Sequence, residues 1–284
     1  MAGARLAGCI AADGRDALAP LGGVSAVRRA VIALQQAGAF PVAVTCDPDD
    51  AELRAHLANR GVVFLLHPES PAQLFDSVKL GFSFLAPLCD YIAFAPVDAP
   101  TFSAETVLGL MDVCEQVAQP SCQGRAGHPV VVSANAVPRI LGYEGPDGLR
   151  GAVRSLEGRR WLDVGACQQS AELVRPVLHV RLERDEPFFD DRTKLLLFLV
   201  DRTGNMRRSC ELMALSYAKG WGLVNELEGA LGYPVVERRR GGAAGGATRL
   251  TERGRAFLDA YLRFERRLLR ESRAAFSDEL AALM

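Results

Sequence analysis

Two loops of this sequence carry residues suited to phosphate chemistry. The first, residues 9–23, is rich in small side chains that let backbone N–H groups approach a phosphate. Its first turn contains Ala11, Ala12, Asp13 and Gly14. The second loop places Asp98 directly after an apolar run, where a carboxylate can hold a magnesium ion against substrate phosphates. Each loop also has a simpler interpretation, because many such turns only reverse the chain and an aspartate there also serves as a helix cap.

The elements around these loops alternate between strand and helix. Apolar runs at residues 6–12, 41–45, 62–66 and 91–95 predict strands, and helical spacing at residues 52–59, 71–84 and 103–117 predicts crossover helices. Ser25 is placed to cap a further helix, which Gly38 ends. The alternation predicts a parallel sheet covered by helices, a three-layer α/β domain. Ligands bind such sheets at the carboxyl ends of the strands, where both loops are expected.

Five motifs in this part of the chain carry a family resemblance. They are I-A-A-D-G at 10–14, P-L-G-G at 20–23, V-D-A-P at 97–100, S-A-E-T at 103–106 and G-H-P-V-V-V at 127–132. In their order and spacing, residues 5–175 resemble the MobA-like nucleotidyltransferases of molybdenum-cofactor maturation, especially the molybdopterin cytidylyltransferases. The resemblance implies a Rossmann-like αβα fold and magnesium-dependent transfer of a nucleotide to molybdopterin.

The sequence departs from that family where its catalytic residues are concentrated. The loop between Asp13 and Pro20 is shorter than the family's loop, contains no lysine and keeps Arg15 as its one cation. Downstream, Asp163 matches a family metal ligand, but Gly165 and Gln169 stand where the family has further carboxylates. Phosphoryl transfer depends on cations that stabilise developing charge, so these losses predict little or no catalysis. Asp98 and Asp163 remain the candidate magnesium ligands.

Two further positions are candidate contacts to a nucleotide or pterin ligand. The resemblance puts His128 at the border of the substrate pocket, and the alternative is a loop histidine placed by the proline after it. Asp147 predicts a helix N-cap, with Arg150 one turn later, where an anion could be held.

The net charge of −1 hides an asymmetry along the chain. Residues 1–193 hold 17 Lys and Arg against 23 Asp and Glu, a net charge of −6, whereas residues 194–284 hold 16 against 11, a net charge of +5. A basic final third predicts a part that binds a polyanion such as nucleic acid. The alternative is that its arginine-rich helices are simply solvated.

The final third predicts three helices, a hairpin and a last long helix. The helices fall at residues 194–200, 205–214 and 217–231, the hairpin at residues 235–250, and Thr251 caps a helix ending near residue 276. The run S-Y-A-K-G-W at 216–221 and the paired glycines at 241–242 and 245–246 are specific signals. Residues 194–265 resemble the winged helix-turn-helix domain, an α+β fold, of ModE-like molybdate-responsive regulators.

That resemblance implies contacts to double-stranded DNA. The residues expected at the start of the recognition helix are Ser216, Tyr217 and Lys219, where side chains reach base edges and phosphates. The residues expected at DNA in the wing are Arg238, Arg239, Arg240, Gly241 and Gly242. We expect Trp221 instead to pack the helix on the core.

The last helix predicts a homodimer, because helix-turn-helix proteins commonly read two half-sites related by a twofold axis. The apolar stripe expected at the dimer seam consists of Phe257, Leu258, Tyr261, Leu262, Phe264, Leu268 and Leu269. Packing of this stripe against its own domain is the alternative.

Composition excludes several other classes of protein. With 49% hydrophobic and 24% charged residues the chain is globular, and no apolar run reaches the ~18 residues of a membrane span. Its seven cysteines are scattered without a C-x-x-C pair, so we expect small buried side chains and neither disulfides nor zinc ligands.

These features predict two domains, residues 1–185 and 192–284, in a cytoplasmic transcriptional regulator without a membrane partner. A degenerate nucleotidyltransferase domain is expected to sense an anionic ligand, a nucleotide or a pterin with magnesium, and the winged helix to bind DNA in molybdenum-cofactor or molybdoenzyme regulation. One alternative is an active magnesium-dependent nucleotidyltransferase that carries a DNA-binding domain. Another is an N-terminal domain that only holds a dimer together.

Overall fold

The computed structural model describes residues 4–13, 16–68, 73–164, 174–239 and 247–280. The chain forms two compact units, the first comprising residues 1–53 and 64–177 and the second residues 54–63 and 178–284. A segment of the N-terminal half therefore belongs to the C-terminal unit, which the sequence does not indicate. The predicted domain limits at residues 185 and 192 stay a prediction.

A mixed sheet forms the centre of the first unit. The strands of this unit are β1 (Leu6–Ala11), β2 (Pro20–Leu21), β3 (Val24–Ser25), β4 (Val42–Cys46), β5 (Val63–Leu66), β6 (Tyr91–Pro96), β7 (Val117–Cys122), β8 (Arg125–Ala126), β9 (Val130–Ser133) and β10 (Arg159–Asp163). The order across the eight-stranded sheet is β10-β7-β9-β6-β1-β4-β5, with β8 paired to β7. β1 pairs in parallel with β4 and β6, and β10 with β7.

The prediction of a parallel sheet was wrong at two strands, because β8 pairs antiparallel with β7 and β9 is also antiparallel. β9 runs antiparallel to both of its neighbours, β6 and β7. The chain reaches β9 from β7 through β8 and short turns, and so short a connection joins only antiparallel strands.

Helices cover both faces of this sheet. The helices that alternate with these strands are α1 (Ala26–Gln36), α2 (Ala51–Leu57), α3 (Leu74–Leu85), α4 (Ala104–Val113), α5 (Val137–Leu141) and α6 (Gly148–Ser155), and most of α2 belongs to the second unit. α1 and α4 contact the sheet and each other, and α3 contacts the sheet together with α5 and α6. The three-layer α/β prediction is confirmed. The helix predicted over residues 103–117 ends at Val113, because Val117 already pairs with strands on both sides.

The P-L-G-G motif forms a tight hairpin and not part of a helix. β2 and β3 pair around Gly22 and Gly23, whose φ angles are 60° and 83°. A two-residue turn with both φ angles positive favours glycine at both positions. Ser25 follows directly and caps α1, its Oγ accepting from the backbone N of Arg28 at 3.4 Å, as predicted.

From its first long helix onward, the second unit has the order of elements that the sequence predicts, and a short hairpin that was not predicted precedes that helix. Its elements are β11 (Leu182–Glu183), β12 (Pro187–Phe189), α7 (Asp191–Thr203), α8 (Met206–Leu212), α9 (Tyr217–Leu231), β13 (Val236–Arg239), β14 (Ala247–Leu250) and α10 (Glu252–Glu279). Residues 195–200 of α7 are buried, as their apolar run predicts. Asp190, Asn205, Ser216 and Thr251 cap the four helices, each accepting from a backbone N–H of the first turn.

A close contact sets the angle between α8 and α9. The turn between these helices includes Ala214, whose φ is 51°. Gly220 of α9 lies against Cys210 of α8 so closely that a Cβ at position 220 would collide with the Cys210 Sγ. At this separation of the two helices, a larger residue at position 220 requires the Cys210 side chain to move.

Most of the apolar stripe of α10 is used inside the chain. Phe189 of β12 packs edge-to-face on Phe257 and Tyr261, with ring centroids 5.0 and 4.7 Å away, and the Tyr261 hydroxyl donates to the Val180 carbonyl at 2.8 Å. Leu258, Tyr261 and Leu269 are buried, whereas Phe264 is 46% exposed. The predicted seam is therefore wrong for its buried members, because the chain's own residues cover them. The homodimer itself stays a prediction.

A buried lysine joins α7 to α10. Lys194 Nζ lies 2.8 Å from Asp191 Oδ1 and 2.8 Å from Glu265 Oε1. Burial alone lowers the pKa of Lys194, but the two carboxylates reverse this effect and raise the pKa above its usual value. Burial alone raises the pKa of Asp191, but hydrogen bonds and charge interactions with His179 and Lys194 lower the pKa of that carboxyl to about 2. Burial raises the pKa of Glu265.

The segment 54–63 packs on the start of α7. Arg192 Nη1 donates to Asn59 Oδ1 at 3.3 Å, and the Arg60 guanidinium lies 3.4 Å from His179 Nε2. Gly61 is so close to Asp191 that a Cβ there would collide with the Asp191 carbonyl. Through these contacts the segment forms part of the second unit.

The cysteines of the described residues lie mostly in the interior of the protein. These six cysteines are free, and all but Cys122 are buried, as predicted; Cys167 lies outside this part of the chain. Burial raises the pKa of the Cys9 thiol. Within the same residues, no helix has the length and apolar character needed to cross a membrane.

Candidate functional site

The loop after β1 presents a buried carboxylate at the carboxyl edge of the sheet. Asp13 Oδ2 accepts from Thr45 Oγ1 at 2.8 Å and from Ser77 Oγ at 2.5 Å, which links β1 to β4 and α3. Asp13 is only 6% exposed, and its Oδ1 has no hydrogen-bond partner among the described residues. A buried acceptor of this kind favours a ligand group that donates a hydrogen bond over a phosphate oxygen.

The backbone donors expected in this loop are partly occupied. The Ala12 N–H donates to the Thr45 carbonyl at 3.0 Å, and the Ala11 carbonyl accepts from the Val97 N–H at 2.9 Å. The predicted contact of the Ala12 N–H with a phosphate is therefore not available in this conformation. Gly14 and Arg15 lie outside the described residues.

The two candidate magnesium ligands lie on distant strands. Asp98 is exposed just beyond β6, and Asp163 is exposed at the end of β10. Because β7 and β9 lie between β6 and β10, the spacing of ~4.8 Å per strand puts the two strands about 14 Å apart. For one magnesium ion to contact both carboxylates, with oxygen ligands at about 2.1 Å, the two side chains and their loops would have to bridge this separation of the strands.

The other possible metal ligands are scattered through the described part of the chain. No three His, Cys, Asp or Glu side chains of the described residues gather into a set that could hold a metal ion. A magnesium ion at Asp98 would therefore depend on this one carboxylate together with the phosphates of a ligand.

A cationic cavity lies beside this edge of the sheet. It has a volume of about 590 Å³ and is formed by the start of α3, β7, the turn before β9, α6 and β10. Its cationic and imidazole side chains come from His128, Arg150, Arg154 and Arg159. Phe75 and Trp161 also line it, and Trp161 is 53% exposed. Arginines bind phosphate or carboxylate groups and aromatic rings stack on planar ligands, so the cavity is suited to an anionic aromatic molecule.

The structure brings two predicted contact residues together in this cavity. His128 lies in the turn before β9, its ring edge-to-face on Phe94 at 6.0 Å, and Arg150 is exposed in the first turn of α6. Asp147 occupies the N-cap position as predicted, but its side chain makes no capping bond. Its φ is 67°, and its Oδ2 accepts from Arg154 Nη1 at 3.3 Å instead.

Sequence reasoning missed four of the lining side chains named above, Phe75, Arg154, Arg159 and Trp161. Arg159 and Trp161 are two residues apart on β10, so their side chains are on the same face of that strand. This alternation is a signal that the sequence contains. It was not recognised because residues 159–163 were not predicted as a strand.

The second unit exposes the other group of predicted residues. Ser216 caps α9, its Oγ accepting from the Lys219 backbone N at 3.2 Å. Tyr217 is 46% exposed, and Lys219 and Arg238 are also exposed. Arg239 ends β13, but its side chain lies outside the described part of the chain, as do Arg240, Gly241 and Gly242.

Trp221 was predicted to pack on the core, and this prediction was wrong. The core face of α9 is formed by Gly220, Val224 and Leu227, which are buried. Trp221 is half-buried to one side of them, with the Arg238 guanidinium 3.6 Å from its ring centroid. The tryptophan therefore joins α9 to the hairpin at the surface.

The sheet order and the loops at its carboxyl edge define a nucleotidyltransferase-type fold. Among solved structures, the chain is similar to Rv0371c from Mycobacterium tuberculosis, with a TM-score of 0.52 and 20% identity over 60% of this chain and 92% of that chain. A manganese complex of the same protein gives a TM-score of 0.51 and 21% identity over 57% and 90%. The profile of the MobA-like NTP transferase domain matches residues 12–161, and the chain belongs to this family.

A C-terminal portion of the chain is similar to proteins of another kind. It is 33% identical over 70 residues to the molybdenum transport protein ModE of Azotobacter vinelandii, covering 25% of this chain and 26% of that protein. It is 31% identical over 74 residues to the transcriptional regulator ModE of Yersinia pestis, covering 26% and 28%. The chain thus spans about a quarter of the length of the curated relatives it matches.

Proposed function

We propose that this protein is a DNA-binding transcriptional regulator of molybdenum-cofactor or molybdoenzyme metabolism, in which the MobA-like domain binds an anionic ligand. The observation that carries the proposal is the exposed start of α9. Tyr217 and Lys219 lie there, after a turn that joins α9 to the shorter α8. In a winged helix-turn-helix domain, this position reaches base edges and phosphates.

Charge and topology support the proposed DNA contact. β13 and β14 form an antiparallel hairpin in the position of a wing, and Arg238 on β13 is exposed. Residues 194–284 carry a net charge of +5, which favours a phosphate backbone as partner. The similarity to ModE regulators is consistent with this use of the unit.

DNA binding is tested by gel retardation of a duplex from upstream of the protein's own gene, with a shuffled duplex as competitor. Lys219→Ala is expected to weaken binding and relax sequence preference. Arg239→Ala is expected to weaken binding to all sequences and reduce the salt slope by about one unit. Lys79→Ala, in the first unit, is the matched control. Absence of retardation at low salt, or a Lys219→Ala protein that binds like the wild type, would contradict the proposal.

Ligand binding by the MobA-like domain is proposed for the cationic cavity. Arg150 and Arg159 are expected to hold the anionic groups and Trp161 to stack on a planar ring. A panel of nucleotides and pterin phosphates, with and without magnesium, should contain ligands that raise the melting temperature of the wild type. Arg159→Ala should reduce this shift, and Arg139→Ala, outside the cavity lining, should not. If no compound shifts the melting temperature, a domain that only holds a dimer together is favoured.

A second candidate function is magnesium-dependent nucleotidyl transfer, and membership of the MobA-like family is the observation that favours it. With CTP or GTP, magnesium and molybdopterin cofactor, we expect pyrophosphate release far below that of a relative with the complete phosphate loop. The loop of this chain has no lysine, and Asp98 and Asp163 follow strands that are about 14 Å apart. Robust release that Asp98→Ala abolishes would establish the enzyme instead.

A further inference from the structure

Four side chains of the second unit form a stacked row across its surface. The Arg207 guanidinium of α8 lies 5.2 Å from the centroid of the Tyr217 ring, and Tyr217 meets Trp221 edge-to-face at 6.1 Å and 81°. At the other end, the Arg238 guanidinium of β13 lies 3.6 Å from the Trp221 centroid. The row alternates a cation, two aromatic rings and a cation, and it crosses α8, α9 and β13.

The geometry of the two rings leaves room for both cations. In an edge-to-face pair, one ring offers its positive edge to the negative face of the other, so a free face remains for each guanidinium. Arg207 and Arg238 are both exposed, so the rings hold their planar heads without removing their charge from solvent. An arginine held in this way loses less side-chain entropy when it binds a phosphate.

A pair of half-buried hydrogen bonds brings the hairpin to this position. Glu228 Oε1 accepts from the backbone N of Val235 at 2.7 Å and of Val236 at 3.1 Å, which fixes the start of β13 to the last turns of α9. Three strand residues advance about 10 Å, and the seven helix residues from Glu228 back to Trp221 rise about 10.5 Å. β13 therefore runs back along α9 until Arg238 lies over Trp221, near the exposed N-terminal turn.

We propose that this row presents Arg207 and Arg238 to two phosphates of the DNA backbone, with Tyr217 and Trp221 as positioning residues. The proposal rests on the DNA binding proposed above and adds to it the reason why the helices and the hairpin act together. Trp221 acts through Arg238 and Tyr217 and needs no contact of its own with DNA. Its loss should therefore change the number of ionic contacts as well as the affinity.

The test measures the salt dependence of binding to a short mixed-sequence duplex between about 50 and 200 mM salt. Trp221→Leu removes the aromatic ring system at this position, whereas Trp221→Phe keeps a single aromatic ring on which Arg238 can stack. We expect Trp221→Leu to lower affinity about tenfold and to reduce the salt slope by one to two units, at ~0.9 unit for each lost phosphate contact. Trp221→Phe should restore most of both. Tyr233→Leu is the matched control, because Arg253 stacks on Tyr233 at 3.6 Å outside the row.

Three results would overturn the proposed role of this row in DNA binding. They are an unchanged salt slope in Trp221→Leu, an equal loss in Trp221→Leu and Trp221→Phe, or the same change in Tyr233→Leu. The melting temperature of each variant separates these results from unfolding.

The stack can also be measured without DNA. In a Trp161→Phe background Trp221 is the one tryptophan left, and Arg238→Ala should shift its fluorescence emission. Unchanged emission contradicts the row itself. A shift in a protein that does not bind DNA contradicts the proposed function and the DNA contact, while the stacked pair stands.

Discussion

Lys194 of α7 is the residue on which the joint between α7 and α10 depends. Its Nζ contacts Asp191 and Glu265, and it is almost completely buried. Replacing it with methionine keeps most of the volume but removes the ammonium group that lies between two largely buried carboxylates. We expect Lys194→Met to destabilise the second unit by about 3–5 kcal/mol at pH 7, measured by urea unfolding. Lys219→Met, at an exposed position of the same unit, should change stability by less than about 0.5 kcal/mol.

The cost of that substitution should depend on pH. The pKa of Asp191 in the folded protein is about 2, so its charge stabilises the fold above its unfolded value near ~4, and the contribution is lost as pH falls through 2. The pKa of Glu265 is raised by burial, which has the opposite sign and favours the protonated folded form as pH falls. Without Lys194 both carboxylates can protonate, so the difference between variant and wild type should be smaller at pH 4 than at pH 7. An equal difference at both values would show that packing, and not charge, is lost.

For single residues, the sequence predicts the element or turn in which a residue lies better than it predicts which side chains that residue contacts. Asp13 was expected to lie in a turn whose backbone faces a phosphate, and it lies at that edge with its carboxylate bonded to Thr45 and Ser77. Those hydroxyls are 32 and 64 residues away in the chain, so no local pattern reveals the contact. Trp221 was misplaced for the same reason, because its partner Arg238 belongs to a different element.

Elements were more predictable than contacts, since caps and apolar spacing are local. Ser25 and Thr251 begin their helices where the sequence places them, and α9 has the predicted bounds. The errors lie where pairing with distant strands decides the outcome. β9 is antiparallel because of the hairpin before it, and β10 was not recognised because Val117 and its neighbours supply its parallel partner.

At the crossing of α8 and α9, we expect alanine substitutions at two glycines of α9 to change the stability of the protein in opposite directions. A Cβ at Gly222 meets no atom within 4 Å, whereas a Cβ at Gly220 would collide with the Cys210 Sγ. Gly222→Ala should stabilise the protein by about 0.5–1 kcal/mol, because alanine loses less backbone entropy in a helix. Gly220→Ala should destabilise it by about 1–3 kcal/mol through overpacking.

The same close contact provides a rescue experiment. Adding Cys210→Ala to Gly220→Ala removes the sulfur that the new methyl group meets, so the double variant should recover part of the lost melting temperature. Purely additive changes would show that the collision is relieved elsewhere.

At the scale of the whole molecule, residues 54–63 link the early part of the chain to the second unit. A fragment of residues 178–284 lacks Asn59, Arg60 and Gly61, which contact Arg192, His179 and Asp191 in the full chain. We expect amide hydrogen exchange in α7 to be faster in this fragment than in the intact protein. Gly61→Val in the intact protein should speed exchange in α7 and leave β1 and β6 unchanged. Equal protection of α7 in the fragment and the full chain would show that the segment contributes nothing.

This borrowed segment limits how such a protein can arise or be rebuilt by recombination. A single crossover between two genes that each encoded one of these units would leave all contacts of the C-terminal unit on one side of the junction. Here the C-terminal unit takes ten residues from within the stretch that matches the MobA-like family, so its contacts lie on both sides of any such junction. A chimaera that exchanges only residues 178–284 inherits the wrong residues 54–63, and it should need co-transfer of that short segment to regain the stability of either parent.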